Sequence, residues 1–432
     1  MLQGFRAEIL TVPQDPARSG AEAVRHHADG LLVVEDGEVA AIGEHDALIG
    51  DYPGLAVQAF PGRLICPGFV DTHVHYPQVG RIAAHGAQLL DWLEQHIFPA
   101  ELAFEDRAHA DEVASFFLDE MLRNGTTSAL VYGTVHAGSI DALFEQALAR
   151  GMRIVSGKVL MDCNAPPGLC DTPETGRAES EALIRRWRGR GRLGYAVTPR
   201  FALTSSDAQL AGTGEMLCAH PDVYLHTHLA ENPVEIAAVG ARFPEAVDYL
   251  DVYDRFGLVG GRSVFAHGIH LDDRALARMG EAGAAIAFCP SSNLFLGSGL
   301  FDLARADAHG VEVAMGTDIG AGTSFSLLHT LGEAYKVCQM RGHSLDPFRA
   351  LYLATTAGAR RLGGGALAPG DAADFVVLDP AATPLLARRT AGADIAERLF
   401  ALQVLGDDRC VAQTYVAGVR RHARDADQDA EP

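Results

Sequence analysis

Two histidines two residues apart, His73 and His75, close the apolar run FVDTHVH that begins at Phe69. Alternate residues of a strand share a face, so both imidazoles would project the same way. Further along, HTHLAEN carries His226, His228 and Glu231, AHG carries His267, and GTD carries Asp318. Neutral imidazoles with a carboxylate are donors suited to Zn²⁺ or Fe²⁺. Taken singly, each piece has a plainer reading: an HxH is commonly two unrelated histidines, a GTD a turn, and His267 a satisfied core residue. Taken together, they predict a metal site, provided the fold brings them to one place. Such a site would do hydrolysis, because a bound divalent ion lowers the pKa of its water from about 15.7 towards about 7.

The elements that must position them are legible. Eight short apolar stretches begin at Phe69, Thr126, Arg153, Gly194, Val223, Ser263, Ala284 and Glu312, with helix-like segments between them. One of these segments, EDRAHADEVASFFLDEMLRNG from Glu105, ends in Asn124-Gly125, a helix stop signal. Strand and helix alternating in this way predict a (β/α)₈ TIM barrel, whose active site forms where the C-terminal strand ends converge. His73 and His75 fall at the end of the first strand, His228 at the fifth, His267 at the sixth and Asp318 at the eighth. The chain ends read differently. GLLVVEDGEVAAIGE from Gly30 is strand, Asp-Gly turn, strand, and ADFVVLDP and VAQTYVAGV near the C-terminus have the same texture. The expected organisation is a small β-sandwich domain from residues 1–66 and 367–432 beside a barrel at 67–366. The polar tail from Arg424 is expected to be disordered.

Composition narrows the partners. The chain has 432 residues, 48% of them hydrophobic, and a formal net charge of −21. So acidic a surface repels nucleic acid and anionic lipid and does not exclude an uncharged small substrate. No run approaches the roughly 18 apolar residues of a membrane span, and no signal peptide is legible. Seven cysteines, Cys66, Cys163, Cys170, Cys218, Cys289, Cys338 and Cys410, are scattered without a CxxC pair. That argues against a disulfide framework and a thiolate zinc site, and a cytoplasmic protein is expected.

The HxH on strand one, the histidines on strands five and six, the aspartate on strand eight and the flanking β segments resemble the amidohydrolase superfamily. Two-metal members carry a bridging lysine on strand four. Here strand four ends TPRF, with Arg200, and Lys158 lies on strand three, where it reads as structural. The resemblance therefore implies the mononuclear branch: one Zn²⁺ per chain, with Fe²⁺ open, held by His73, His75, His228 and Asp318. PGFVDTHVHYPQ, LLDWLEQHIFPAE, GKVLMD, VTPRF, THLAEN and MGTDIGAGTSFSLL are similar to the guanine deaminases of that superfamily, from about Gly30 to about Val419. This implies hydrolysis of guanine to xanthine and ammonia, by a homodimer. His226 stands where a variable polar residue is expected; it shares a face with His228 and reads as a support for the ligands, with a ligand role as the alternative. NAPPGLCDT from Asn164 fits loosely and leaves any lid contacts open. The PCxxC signature of a different deaminase fold is absent.

The resemblance also suggests roles. Asp318 would accept the proton of the attacking water. Glu231, three residues after His228, would protonate a ring nitrogen, for which burial must raise its pKa. His267 would polarise the hydroxide or stabilise the tetrahedral intermediate. Arg200 is a fixed donor for the 6-carbonyl, Gln78 suits a purine edge, and Phe201 and Trp92 could line the ring. The plainer readings are a solvated helix-start acid for Glu231, a barrel-end salt bridge for Arg200, and core packing for Phe201 and Trp92. A sibling deaminase or chlorohydrolase acting on another nitrogen heterocycle is the alternative function. A catalytically inactive binding protein on the same fold would have lost ligands that are intact here.

Overall fold

The computed structural model describes residues 1–86 and 88–424, so the tail beyond Arg424 lies outside the described residues. The chain opens with β1 (Leu2–Thr11), β2 (Arg25–Glu35), β3 (Glu38–Glu44) and β4 (Val57–Pro67). Asp36 and Gly37, with φ of 50° and 90°, turn β2 into β3, and the Asp-Gly pair is the residue choice such a left-handed turn needs. Barrel strands follow: β5 (Phe69–His75), β6 (Thr126–Tyr132), β7 (Arg153–Gly157), β8 (Val159–Leu160), β9 (Gly194–Pro199), β10 (Tyr224–Leu229), β11 (Ser263–His267), β12 (Ala285–Phe288) and β13 (Glu312–Met315). The chain then returns to the first sheet as β14 (Phe375–Leu378), β15 (Val411–Val416) and β16 (Val419–Ala423).

All eight expected barrel strands are present, in order and parallel. The third is broken into β7 and β8 around Lys158, each pairing with β9. Two long-range contacts cause the break. A Cβ at Gly157 would lie 1.8 Å from the Ala196 carbonyl oxygen, so the strands close to a distance only glycine permits. The Lys158 ammonium turns out of the ladder to Asp171 and Glu179, at 2.5 and 3.1 Å. Strand β5 is buried at every residue, as a strand covered on both faces must be.

The seam between β13 and β5 is closed by bonds just past the strand ends. His75 N–H donates to the Ile319 carbonyl and Asp318 N–H to the His73 carbonyl, each at 2.8 Å, while Thr72 Oγ1 donates to the Met315 carbonyl at 2.9 Å. This seam sets the HxH beside Asp318. The helix Arg107–Arg123, capped by Asp106, lays Ala110, Ala114, Phe117, Leu118 and Met121 into the core at helical spacing. It stops at Asn124 and Gly125, where the sequence signal places its end. No helix among the described residues is long and apolar enough to cross a membrane.

The chain ends form one seven-stranded sheet, ordered β16-β15-β14-β4-β1-β2-β3. It folds back on itself: Glu38 of the edge strand β3 bridges Ala372, just before β14, and Gly370 N–H donates to the Val39 carbonyl. Phe5, Phe375 and Tyr415 meet on the enclosed face, with ring centroids 4.3 to 5.1 Å apart. The layers expected of a sandwich are thus the two halves of a single bent sheet.

Candidate active site

The strand ends bring His73, His75, His228 and Asp318 together, with one ligand atom from each lying within 4.8 Å of all the others. His73 Nε2 and His75 Nε2 lie 3.1 and 3.3 Å from Asp318 Oδ1, and His228 Nε2 lies 3.3 Å from His75 Nε2. Opposite faces of two rings are anchored. His228 Nδ1–H donates to the Arg200 carbonyl at 2.7 Å, and His73 Nδ1 meets His226 Nε2 at 2.8 Å. Those bonds leave the Nε2 lone pairs pointing inward, which is how surrounding groups orient ligating imidazoles. Burial holds the rings neutral: it pushes His75 down to about 3, and His73 and His228 also fall below the usual imidazole range. Burial opposes charge on Asp318, yet His73, His75 and His267 outweigh it and hold its carboxyl well below the carboxylate range. Three neutral nitrogens and one carboxylate fit a single divalent ion. His226 is fully buried and supports His73 without joining the four.

Around this cluster the backbone is strained. His267, the last residue of β11, and Asp318, in the loop after β13, have φ of 71° and 53°, a region that non-glycine residues enter mainly at functional sites. His267 Nδ1–H donates to Asn293 Oδ1 at 2.8 Å. Its Nε2 is buried with no hydrogen-bond partner among the described residues and lies 3.5 Å from Glu231 Oε2 and 3.7 Å from Asp318 Oδ2. Asn293 sits in the short helix Pro290–Phe295, and no local pattern marks it.

Glu231 is buried, so its reading as a solvated helix-start acid fails. Ser298 Oγ donates to it at 3.1 Å, and burial, aided by the Asp318 charge, pushes it up to about 8. Behind it Glu235 accepts the N–H groups of Glu231 and Asn232, at 3.0 and 3.1 Å, and the Tyr249 hydroxyl at 2.7 Å. Burial, then the neighbouring Glu231, pushes Glu235 up to about 7. Asn232 and Glu235 form the capping box of the helix Pro233–Arg242, and the sequence NPVE already carries that signal.

Over the cluster lies a pocket walled by Leu89, Trp92, Leu93, Phe201, Leu296 and Ala321, with Gln78, Arg200, Glu231 and Glu235 at its polar edges. Phe201 and Trp92 belong to one buried apolar cluster that forms this wall, and Trp92 Nε1–H donates to the Ala84 carbonyl at 3.2 Å. Leu169 packs in the same cluster, which is how the segment from Asn164 reaches the site; none of its residues lines the pocket. Arg200 does make a barrel-end salt bridge: Nη1 donates to both oxygens of the buried Glu101, at 2.8 Å each. Nη2 and Nε have no hydrogen-bond partner among the described residues, so two nitrogens remain for a ligand. Gln78 Nε2–H donates to Glu101 Oε1 and also lies against His75 Nδ1, at 3.1 Å each, while its Oε1 accepts the Gly320 N–H at 3.2 Å. A roomier cavity of about 680 Å³ opens around Arg262, Arg349 and Arg361 at the N-terminal strand ends. It holds none of the clustered donors, and in a barrel chemistry sits at the other end.

The profile of the amidohydrolase family matches residues 64–421. The guanine deaminase of Escherichia coli (strain K12) is 50% identical over 425 residues, covering 96% of this chain and 97% of that protein. The solved structure of E. coli guanine deaminase superposes with a TM-score of 0.95 at 46% identity, covering 98% of this chain and all, 100%, of that one. The crystal structure of guanine deaminase from C. acetobutylicum, with guanine bound in its active site, gives 0.90 at 27% identity, covering 97% of this chain and 100% of that one.

Proposed function

The chain belongs to the amidohydrolase family, and from that premise we propose that it hydrolyses guanine to xanthine and ammonia with one divalent metal ion. One observation carries the reading: a single pocket sets Glu231, an acid protonated up to about pH 8, and two free N–H-bearing nitrogens of Arg200 above the four metal donors. The similarity to guanine deaminases over nearly the whole chain supports the same substrate.

We assign His73, His75, His228 and Asp318 to the metal, with Zn²⁺ as the ion; Fe²⁺ suits the same donors. When bound there, the ion supplies an activated water at neutral pH. The chain does the rest. Arg200 donates to the guanine 6-carbonyl, Gln78 borders the purine edge, and Phe201 and Trp92 offer ring faces. Asp318 takes the proton of the attacking water. His267, its ring oriented by Asn293, turns Nε2 towards Glu231 and Asp318 and aligns that water. Glu231 gives its proton to the ring nitrogen beside C2 as the C2–O bond forms. The proton taken from water then passes to the exocyclic amine, the C2–N bond breaks and ammonia leaves, while the C2 hydroxyl gives up its proton to restore the Glu231 carboxyl and becomes the new carbonyl. We place this unit in residues 67–366, with 1–66 and 367–432 as its companion domain. We also place the protein in the cytoplasm as a homodimer; seven unpaired cysteines suit a reducing compartment.

The test is ammonia release from a panel of purines and pterins, before and after chelation and again after metal is restored. Guanine should be the preferred substrate, lost on chelation and recovered with metal. Turnover of another heterocycle with guanine left untouched would sink the assignment.

A further inference from the structure

The strongest unassigned group is Glu101. It stands at the end of the helix Phe98–Leu102 and is 0% exposed. A carboxylate removed from water must be met by donors. It is met by Arg200 Nη1 on both oxygens and by Gln78 Nε2 on one. These are the two polar residues at the pocket edge that the proposed function gives to the purine. Glu101 itself does not line the pocket.

We infer that Glu101 is the positioning residue that gives this site its preference for a 6-oxopurine: by gripping Arg200 Nη1 it turns the other guanidinium nitrogens to the ring carbonyl. A free arginine samples many rotamers, and an isolated guanidinium could present any of its five N–H bonds. Binding one nitrogen to a carboxylate that is itself fixed by burial leaves one orientation. The Phe98 ring, 5.6 Å from the guanidinium carbon, bounds the other side. The Arg200 carbonyl is held by His228 Nδ1–H at 2.7 Å, so both ends of the residue are fixed between the metal cluster and Glu101. Gln78, bonded to the same carboxylate, is held in register with it.

The inference rests on the guanine reading, and its test separates the two. The metal-loaded native protein, Glu101→Gln, Glu101→Asp, Arg200→Met and the Glu101→Gln/Arg200→Met double variant are compared for KM and kcat on guanine. The inhibition constant of 2-aminopurine, which lacks the 6-oxo group, is measured alongside, with metal content and Tm as controls. Glu101→Gln should raise KM for guanine by about 10-fold or more, as loss of an aligned charge-assisted bond does, with a smaller effect on kcat. 2-Aminopurine should bind native and variant alike, within about threefold, and Glu101→Asp should recover part of the loss. The double variant should be no worse than Arg200→Met, because Glu101 acts through that side chain. Should Glu101→Gln fail to fold, Glu101→Asp carries the same comparison of the two ligands. A native-like KM, equal weakening of guanine and 2-aminopurine, or additive losses would each overturn the role. A native protein that does not turn over guanine would instead refute the functional reading itself.

Discussion

Glu231 is an acid kept protonated by its surroundings, and its chemistry can be separated from its shape. Glu231→Gln retains the volume and the contact with Ser298 while removing the titratable proton. We expect kcat to fall about 10²- to 10⁴-fold with the metal retained, because a positioned proton donor contributes about that much. Steady-state kinetics with metal analysis checks it; a variant that loses the ion would mark Glu231 as a ligand or its support. At the same scale, the four donors admit one ion, so elemental analysis of active protein should give about one divalent ion per chain. Activity that tracked a second ion would contradict the cluster. The donors were legible in the sequence because each ends a recognisable strand. Glu101 and Asn293 were not, since their partners stand 99 and 26 residues away and no local spacing announces them.

At the scale of elements, the cap of the helix Pro233–Arg242 carries a pH dependence. Glu235 has a folded pKa of about 7, above the usual carboxylate value. Its protonated form is the one the fold favours. Stability from this group is therefore fully present below the unfolded pKa, near 4.3, and is lost as pH rises through about 7. The shift corresponds to a cost on the order of 3–4 kcal/mol above neutrality. Glu235→Gln can accept both backbone N–H groups and donate to Tyr249, so it keeps the cap without the charge. The fall in Tm between pH 6 and pH 8.5 should be smaller in the variant; an equal fall would show that this proton is not linked to folding. The barrel strands were visible as short apolar runs. The break at Lys158 was not, because it follows from the approach of Gly157 to Ala196 and from two distant acids.

Across the whole molecule, the eightfold alternation and the strand-forming ends were enough to place the barrel and the accessory sheet. The bend that makes two layers from one sheet was hidden, since it depends on Glu38 meeting Ala372. The ion should matter at this scale too. A ligand that binds only the folded chain stabilises it by about 2.7 kcal/mol at a hundredfold excess over its Kd, so chelation should lower Tm measurably and added Zn²⁺ should restore it. An unchanged Tm on verified metal removal would show that the site stands without its ion.

The seam that sets His73 beside Asp318 also governs when the site can exist. Its donors lie near the two ends of the barrel sequence, and the bonds that align them join the first strand to the loop after the last. During synthesis from the N-terminus, a chain that has emerged only through β12 presents three histidines and no carboxylate. A nascent chain arrested there should take up Zn²⁺ weakly, and one released after Asp318 tightly. On that expectation, tight loading waits until the last strand has emerged and the barrel can close.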